Sequence, residues 1–278
     1  MDDARQAVGR GADQPVRDEH PAQSGWHFVD WGCEFLGTMV LVLGGVSAVV
    51  LDFGTRSPVA STVPSHSLRL LLTGLLFAGC GSLVAISPIG RRSGAHLNPS
   101  ITVAFFCQRQ LKVGDAVGYI TAQCLGAVAG AGAVRLLWGA RAVSVRDGRT
   151  LPGPGVSTPE AVGIEALMTA VLVLVVFTFV SSTRTARWTP LAVWIVVAVL
   201  VWRGAPYTGT SLNAARSLGP VIVSGRWTDY WVYVVGPLAG VLVAVGLWVL
   251  VPRRTLTAKL FHDARYPSVL RSALPVAP

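Results

Sequence analysis

Residues 93–100 read Ser93-Gly94-Ala95-His96-Leu97-Asn98-Pro99-Ser100, and residues 208–215 read Thr208-Gly209-Thr210-Ser211-Leu212-Asn213-Ala214-Ala215. A hydroxyl residue, a glycine, a leucine, an asparagine and a small residue recur in register. The surrounding segments, 89–110 and 206–225, are moderately apolar and too short to cross a bilayer, and each follows a long apolar run. Both read as loops that re-enter the membrane, where irregular backbone is tolerated only if it lines a cavity or is buried in protein. Asparagine is a favoured helix N-cap, and Pro99 suits a first helical position because its missing N–H has no partner there. The sequence therefore predicts half-helices near 98–107 and 213–222, begun by Asn98 and Asn213.

Outward from these loops, six segments hold the roughly 20 apolar residues a spanning helix needs: 29–51, 67–88, 115–138, 160–182, 188–205 and 229–251. The first opens with Glu34-Phe35-Leu36-Gly37-Thr38 and the fourth with Glu165-Ala166-Leu167-Met168-Thr169, so the chain repeats itself over 29–138 and 160–251. Three spans per half is an odd number, and the second half must enter the membrane inverted. Inverted repeats place functional elements near the midplane, at the repeat interface. The expected fold is an all-α membrane protein with six transmembrane helices, two re-entrant half-helices and an inverted internal repeat. Small residues such as Gly126, Ala127 and Gly130 suit close helix approach in lipid. Trp188, Trp194, Trp202, Trp227, Trp231 and Trp248 fall near span ends and suit interfacial anchoring.

Composition agrees: 52% of the 278 residues are hydrophobic and 13% charged, against about 25% charged in soluble domains. The mean hydropathy is +0.55. The net charge of +9 does not point to nucleic acid, because the basic residues sit between apolar runs and form no single stripe. Cys33, Cys80, Cys107 and Cys124 form no CxxC or His-spaced cluster, so neither a metal site nor a disulfide framework is supported. No HExxH, GxSxG or paired catalytic carboxylates point to an enzyme, and no cofactor is implied. Residues 1–28 read as a disordered tail lacking the apolar core of a secretory signal. Residues 252–278 read as a second tail, basic and weakly structured. Arg5, Arg10, Arg17, Arg91, Arg92, Arg253 and Arg254 among others would lie inside if both termini are cytoplasmic, a modest positive-inside bias.

The two asparagine motifs, the two ExxxT starts and their placement resemble the aquaporin/glycerol-facilitator (major intrinsic protein) family over about 29–251. The resemblance implies a passive channel for water or small uncharged solutes such as glycerol, excluding ions and protons. It further implies a homotetramer in the plasma or inner membrane, with the lipid bilayer and neutral solutes as the only other partners. It assigns Asn98 and Asn213 to the pore midpoint and Arg216 to an outer constriction. Thr210, Val201 and, on the second span, Phe77 or a neighbour would complete that constriction. His96 would line the inner vestibule, and Glu34 and Glu165 would hold the loops through backbone N–H groups.

The chain departs from the family pattern, which usually reads Asn-Pro-Ala twice. Here Ser100 follows Pro99, and Ala214 replaces the second proline. Alanine is a strong helix former, so the second half-helix should survive. At the position of Val201, water-selective members usually carry histidine and glycerol facilitators glycine. Ser217 resembles water channels, whereas Val234 departs from their usual tryptophan. Selectivity among water, glycerol and metalloid acids stays open. A coupled secondary transporter would also use inverted repeats, but Glu34 and Glu165, its only acidic candidates in spans, are placed symmetrically as scaffold would be.

Overall fold

The computed structural model describes residues 20–275; the tail expected over 1–28 lies mostly outside the described residues. Among the described residues, six helices are long and apolar enough to span a membrane. They are α1 (Phe28–Phe53), α3 (His66–Ile86), α6 (Val113–Trp138), α8 (Thr158–Val180), α9 (Thr189–Thr208) and α11 (Val232–Val249). The half-helices are α5 (Pro99–Cys107) and α10 (Ala214–Ser224). Three short helices lie in connections: α2 (Pro58–Thr62), α4 (Pro88–Ser93) and α7 (Ala140–Ser144).

Asn98 and Asn213 are the N-caps of α5 and α10, each in extended backbone with its side-chain oxygen accepting a backbone N–H of the first turn. Alanine in place of proline does not shorten α10, which has 11 residues against 9 in α5.

Within each half the first and third spans pack through glycine. A Cβ at Gly126 of α6 would overlap the Phe35 carbonyl of α1, and one at Gly240 of α11 would overlap the Ala166 carbonyl of α8. Backbones that close exchange dispersion contacts which lipid cannot supply to a bulkier side chain. Between the halves, α3 packs on α9, α5 on α11 and α10 on α6. The half-helices are thus each held by the third span of both repeats. Leu125, Leu136, Leu167, Leu242 and Leu247 project outward from the bundle, as side chains facing lipid do. Trp188, Trp227 and Trp231 are exposed near span ends, but Trp248 is buried against Phe177 with ring centroids 5.5 Å apart. Its anchoring role read from sequence gives way to a packing one, because an end position on α11 here faces the next helix.

The stretch after α11 differs most from its sequence reading. Residues 255–274 are folded back across the end of the bundle where His20 and Gln23 lie, with Thr257, Ala258, Lys259, Leu260, Val269 and Leu270 buried. Backbone bonds fix it: Leu256 N–H to Val180 O at 3.0 Å, Leu260 N–H to Gly94 O at 2.9 Å and Arg271 N–H to Gln110 O at 2.9 Å. Gln23 N–H also donates to Val269 O at 3.2 Å. The segment looks weakly structured in sequence because it lacks periodicity; its order comes from contacts with distant loops.

Candidate functional site

One device folds both re-entrant loops. Glu34, fully buried in α1, accepts through Oε1 from Ser93 Oγ at 2.7 Å and His96 N at 3.1 Å, and through Oε2 from Leu97 N and Gln123 Nε2 at 2.7 Å each. Glu165, fully buried in α8, accepts from Thr208 Oγ1 at 2.7 Å and from Ser211 N and Leu212 N at 2.9 Å each. A buried carboxylate is costly unless its lone pairs are filled, and here they organise the loop backbone. Ala95 and Leu97 have φ of 54° and 52°, and Thr210 and Leu212 have 49° and 59°. Left-handed backbone at non-glycine residues costs on the order of 1 kcal/mol each and persists only where the surroundings impose it; the two glutamates supply that constraint. Tyr119 Oη donates to Ser93 O at 2.7 Å, and Tyr233 Oη to Thr208 O at 2.9 Å. Sequence reasoning missed these tyrosines, although each lies in the third span of its repeat, a similar distance beyond its asparagine.

The loops meet tip to tip. Asn98 Nδ2 donates to Leu212 O at 2.9 Å, and Asn213 Nδ2 donates to Leu97 O at 2.8 Å. Their side-chain oxygens are occupied by Ser100 N at 2.8 Å and Arg216 N at 3.1 Å. Each amide is therefore oriented from both ends, and the N-termini of α5 and α10 converge between them.

Two cavities share part of their lining, and both asparagines belong to one of them alone. The inner one, toward the termini, is lined by His96, Asn98 and Asn213 among others; the outer one by Val201 and Thr210. Phe77, Val197, Ser211, Leu212 and Arg216 line both and mark the neck. The Arg216 guanidinium sits 5.1 Å from the Phe77 ring centroid, and its Nη1 donates to Gly148 O at 2.8 Å. On the second span, where the sequence pointed to Phe77 or a neighbour, Phe77 is the residue whose ring lies against Arg216. Gly148 and Val197 were not anticipated. Val197 lies one helical turn from Val201 on the same face, a signal available in the sequence. Gly148 lies in a loop whose place depends on the Arg135–Asp147 ion pair at 2.7 Å, which sequence does not reveal. Thr210 Oγ1 donates to Leu200 O at 3.3 Å, a partner on its own side of the cavity wall. Glu34, Glu165, Pro99 and Ala214 lie behind the lining.

His96 is 2% exposed. Its Nε2 lies 2.8 Å from Ala258 O and its Nδ1 3.1 Å from Thr102 Oγ1. A carbonyl only accepts, so Nε2 carries the proton. Nearby, Lys259 donates through Nζ to Arg91 O at 2.6 Å and Tyr266 O at 2.7 Å. Burial pulls its ammonium down to about 8. Hydrogen bonding from Arg265 holds the Asp263 carboxyl well below the usual carboxylate range.

Six spans in two inverted halves, with capped half-helices meeting beside the neck between two cavities, define an inverted-repeat membrane protein built around a central path. Over residues 26–248 the chain matches the major intrinsic protein family, and it belongs to that family. It is 33% identical over 228 residues to aquaporin-4 of Mus musculus, covering 81% of this chain and 67% of that one. It is 34% identical over 254 residues to the lens fiber major intrinsic protein of Lithobates pipiens, covering 88% of each. The fold is shared with the X-ray structure of the aquaglyceroporin from Plasmodium falciparum, at TM-score 0.67 and 23% identity over 81% of this chain and 97% of that one. The chain spans about two thirds of the aquaporin-4 sequences and most of the length of the others.

Proposed function

We propose that the chain is a passive channel for water and small uncharged solutes. It works in the cell membrane as a homotetramer with one pore per protomer and both termini cytoplasmic. The observation that carries the reading is the reciprocal pair of bonds from Asn98 to Leu212 O and from Asn213 to Leu97 O. An amide nitrogen has two N–H groups. With one spent on the opposite loop, the other is left for an oxygen passing through the inner cavity. A water that accepts from both asparagines has its own hydrogens turned outward, toward both ends of the path. It cannot hand a proton along, and the relay of hydrogen bonds is broken there. The positive ends of two half-helix dipoles meet at the same point and repel cations, and Arg216 at the neck adds to that barrier.

A second reading, a facilitator of glycerol-like or metalloid solutes with little water selectivity, is favoured by the wall around Arg216. Phe77, Val197 and Val201 offer carbon to a solute whose hydroxyls would face Arg216 and the loop. Stopped-flow light scattering on proteoliposomes separates the two. Shrinkage in sucrose faster than in bare vesicles, with no faster re-swelling in glycerol, marks a water channel. Fast glycerol re-swelling marks the facilitator. Neither flux above bare lipid, in folded protein with an unobstructed pore, refutes both.

A further inference from the structure

We propose that the segment 255–274 is an autoinhibitory plug that closes the inner mouth of the pore when docked and opens it on release. The inference rests on the channel reading above. Leu260 lines the inner cavity together with His96, Asn98 and Leu97, although it lies eleven residues beyond the end of the last span at Val249. Ala258 O accepts the hydrogen bond of His96 Nε2–H, the group that an open vestibule would present to water. Leu260 N–H is bonded to Gly94 O, so the plug is seated on the backbone of the re-entrant loop itself. Lys259 is 3% exposed and reaches Arg91 O, on the far side of the same loop. Asp263 pairs with Arg91 at 3.0 Å, and the Arg91 guanidinium lies 5.2 Å from the Phe261 ring centroid. A tail that served only to terminate the chain would need none of these contacts with the conducting loop.

The seat is reversible in character. Its polar contacts are single hydrogen bonds and an ion pair, each of which water can replace. Its apolar groups Ala258, Leu260, Val269 and Leu270 join the core cluster that holds Ala95 and Leu97, Leu274 is buried as well, and release exposes them. No span has to move for the segment to leave. Release exposes His96 and removes Leu260 from the cavity while both asparagines stay in place.

The test uses the full-length chain in proteoliposomes and the variant Leu260→Asp, which places a charge where the plug meets the apolar mouth. Docking is read independently by tryptic cleavage after Lys259 and by amide exchange at residues 256, 260 and 271. Slow cleavage and slow exchange in the parent chain, fast in the variant, with osmotic flux several-fold higher in the variant, is the expected result. Equal flux in the two chains while the segment is demonstrably released overturns the plug and leaves the channel standing. Flux at the bare-lipid level in both, with the segment released, refutes the channel reading and the plug with it. Should Leu260→Asp fail to fold, Lys259→Met, which removes the bonds to Arg91 O and Tyr266 O, carries the same comparison through the exchange readout.

Discussion

At the scale of single residues, the two buried glutamates are the groups on which the site depends most. Glu34 meets four donors, one of which, Gln123 Nε2, also reaches Thr102 Oγ1 at 3.0 Å. In Glu34→Gln one terminal oxygen becomes an NH2 facing donors, and at least two of those donors lose their partner. Bonds to a charged group are worth about 1.5–3 kcal/mol each, and a buried orphan costs about as much. The variant should lose roughly 3 kcal/mol or more of stability, read as a lower heat-challenge midpoint on size exclusion. An unshifted midpoint would mean that the loop is held by Tyr119 and Gln123 without the carboxylate. The Glu165→Gln change should act in the same direction on the other loop. In the outer cavity, Val201→His adds a polar, bulkier group to a wall that Arg216 shares. It should lower glycerol flux relative to water flux, measured as the ratio of re-swelling to shrinkage rates; an unchanged ratio would place the solute filter at Val197 and Phe77 instead.

Among the elements, the half-helices show what the sequence makes legible and what it does not. Both starts were readable to the residue, because an N-cap is a local signal: one side chain and the N–H groups just after it. The same holds for the loss of proline at Ala214. Asn213 has φ −150° and ψ 105°, close to the −155° and 121° of Asn98, which does precede a proline. That extended conformation is the one proline demands of its predecessor, and the cap bond goes to Arg216 N, leaving the Ala214 N–H uninvolved in it. Ala214→Pro should therefore be tolerated with unchanged flux and gain about 0.4–1 kcal/mol by restricting the unfolded chain, seen as a raised heat-challenge midpoint. A fall would show that α10 needs freedom at its first turn. Helix packing is equally local in its cause: Gly240→Val would drive a side chain into the Ala166 carbonyl, at a cost of about 1–3 kcal/mol or more, and should reduce the yield of monodisperse protein. The tail is the opposite case. Its partners lie as far back in the chain as His20, which bonds Ser272, and no periodicity or motif within 252–278 announces them. Lys259 gives it a pH dependence whose sign is fixed. The ammonium falls from an ordinary 10.5 to about 8 when docked, so the docked state binds fewer protons and docking strengthens as pH rises from about 8 toward 10.5. The charged groups that face it are Asp30, Asp263 and Arg92. Flux through the parent chain should fall between pH 7.5 and 9.5 and stay level in Lys259→Met; parallel profiles would remove Lys259 from the docking equilibrium.

On the scale of the whole molecule, the inverted repeat explains why so much function sits at one point. Two copies of a three-span unit, each too open to bury its own loop, complete each other by packing α5 on α11 and α10 on α6. The six spans were legible because lipid imposes a length and a composition on them, and the inversion followed from an odd span count. The outer connection was not legible, since Gly148 reaches Arg216 only through a loop fixed by Arg135 and Asp147. The central claim is a path that passes neutral solutes and stops protons where Asn98 and Asn213 meet. It is tested most directly by recording osmotic shrinkage and internal pH together, in proteoliposomes of the parent chain and of Leu260→Asp, under an imposed proton gradient. The account predicts shrinkage above bare lipid, faster in Leu260→Asp, with internal pH unmoved and the rate indifferent to an uncoupler. Shrinkage at the bare-lipid rate in both chains, or collapse of the pH gradient through the protein, would contradict it.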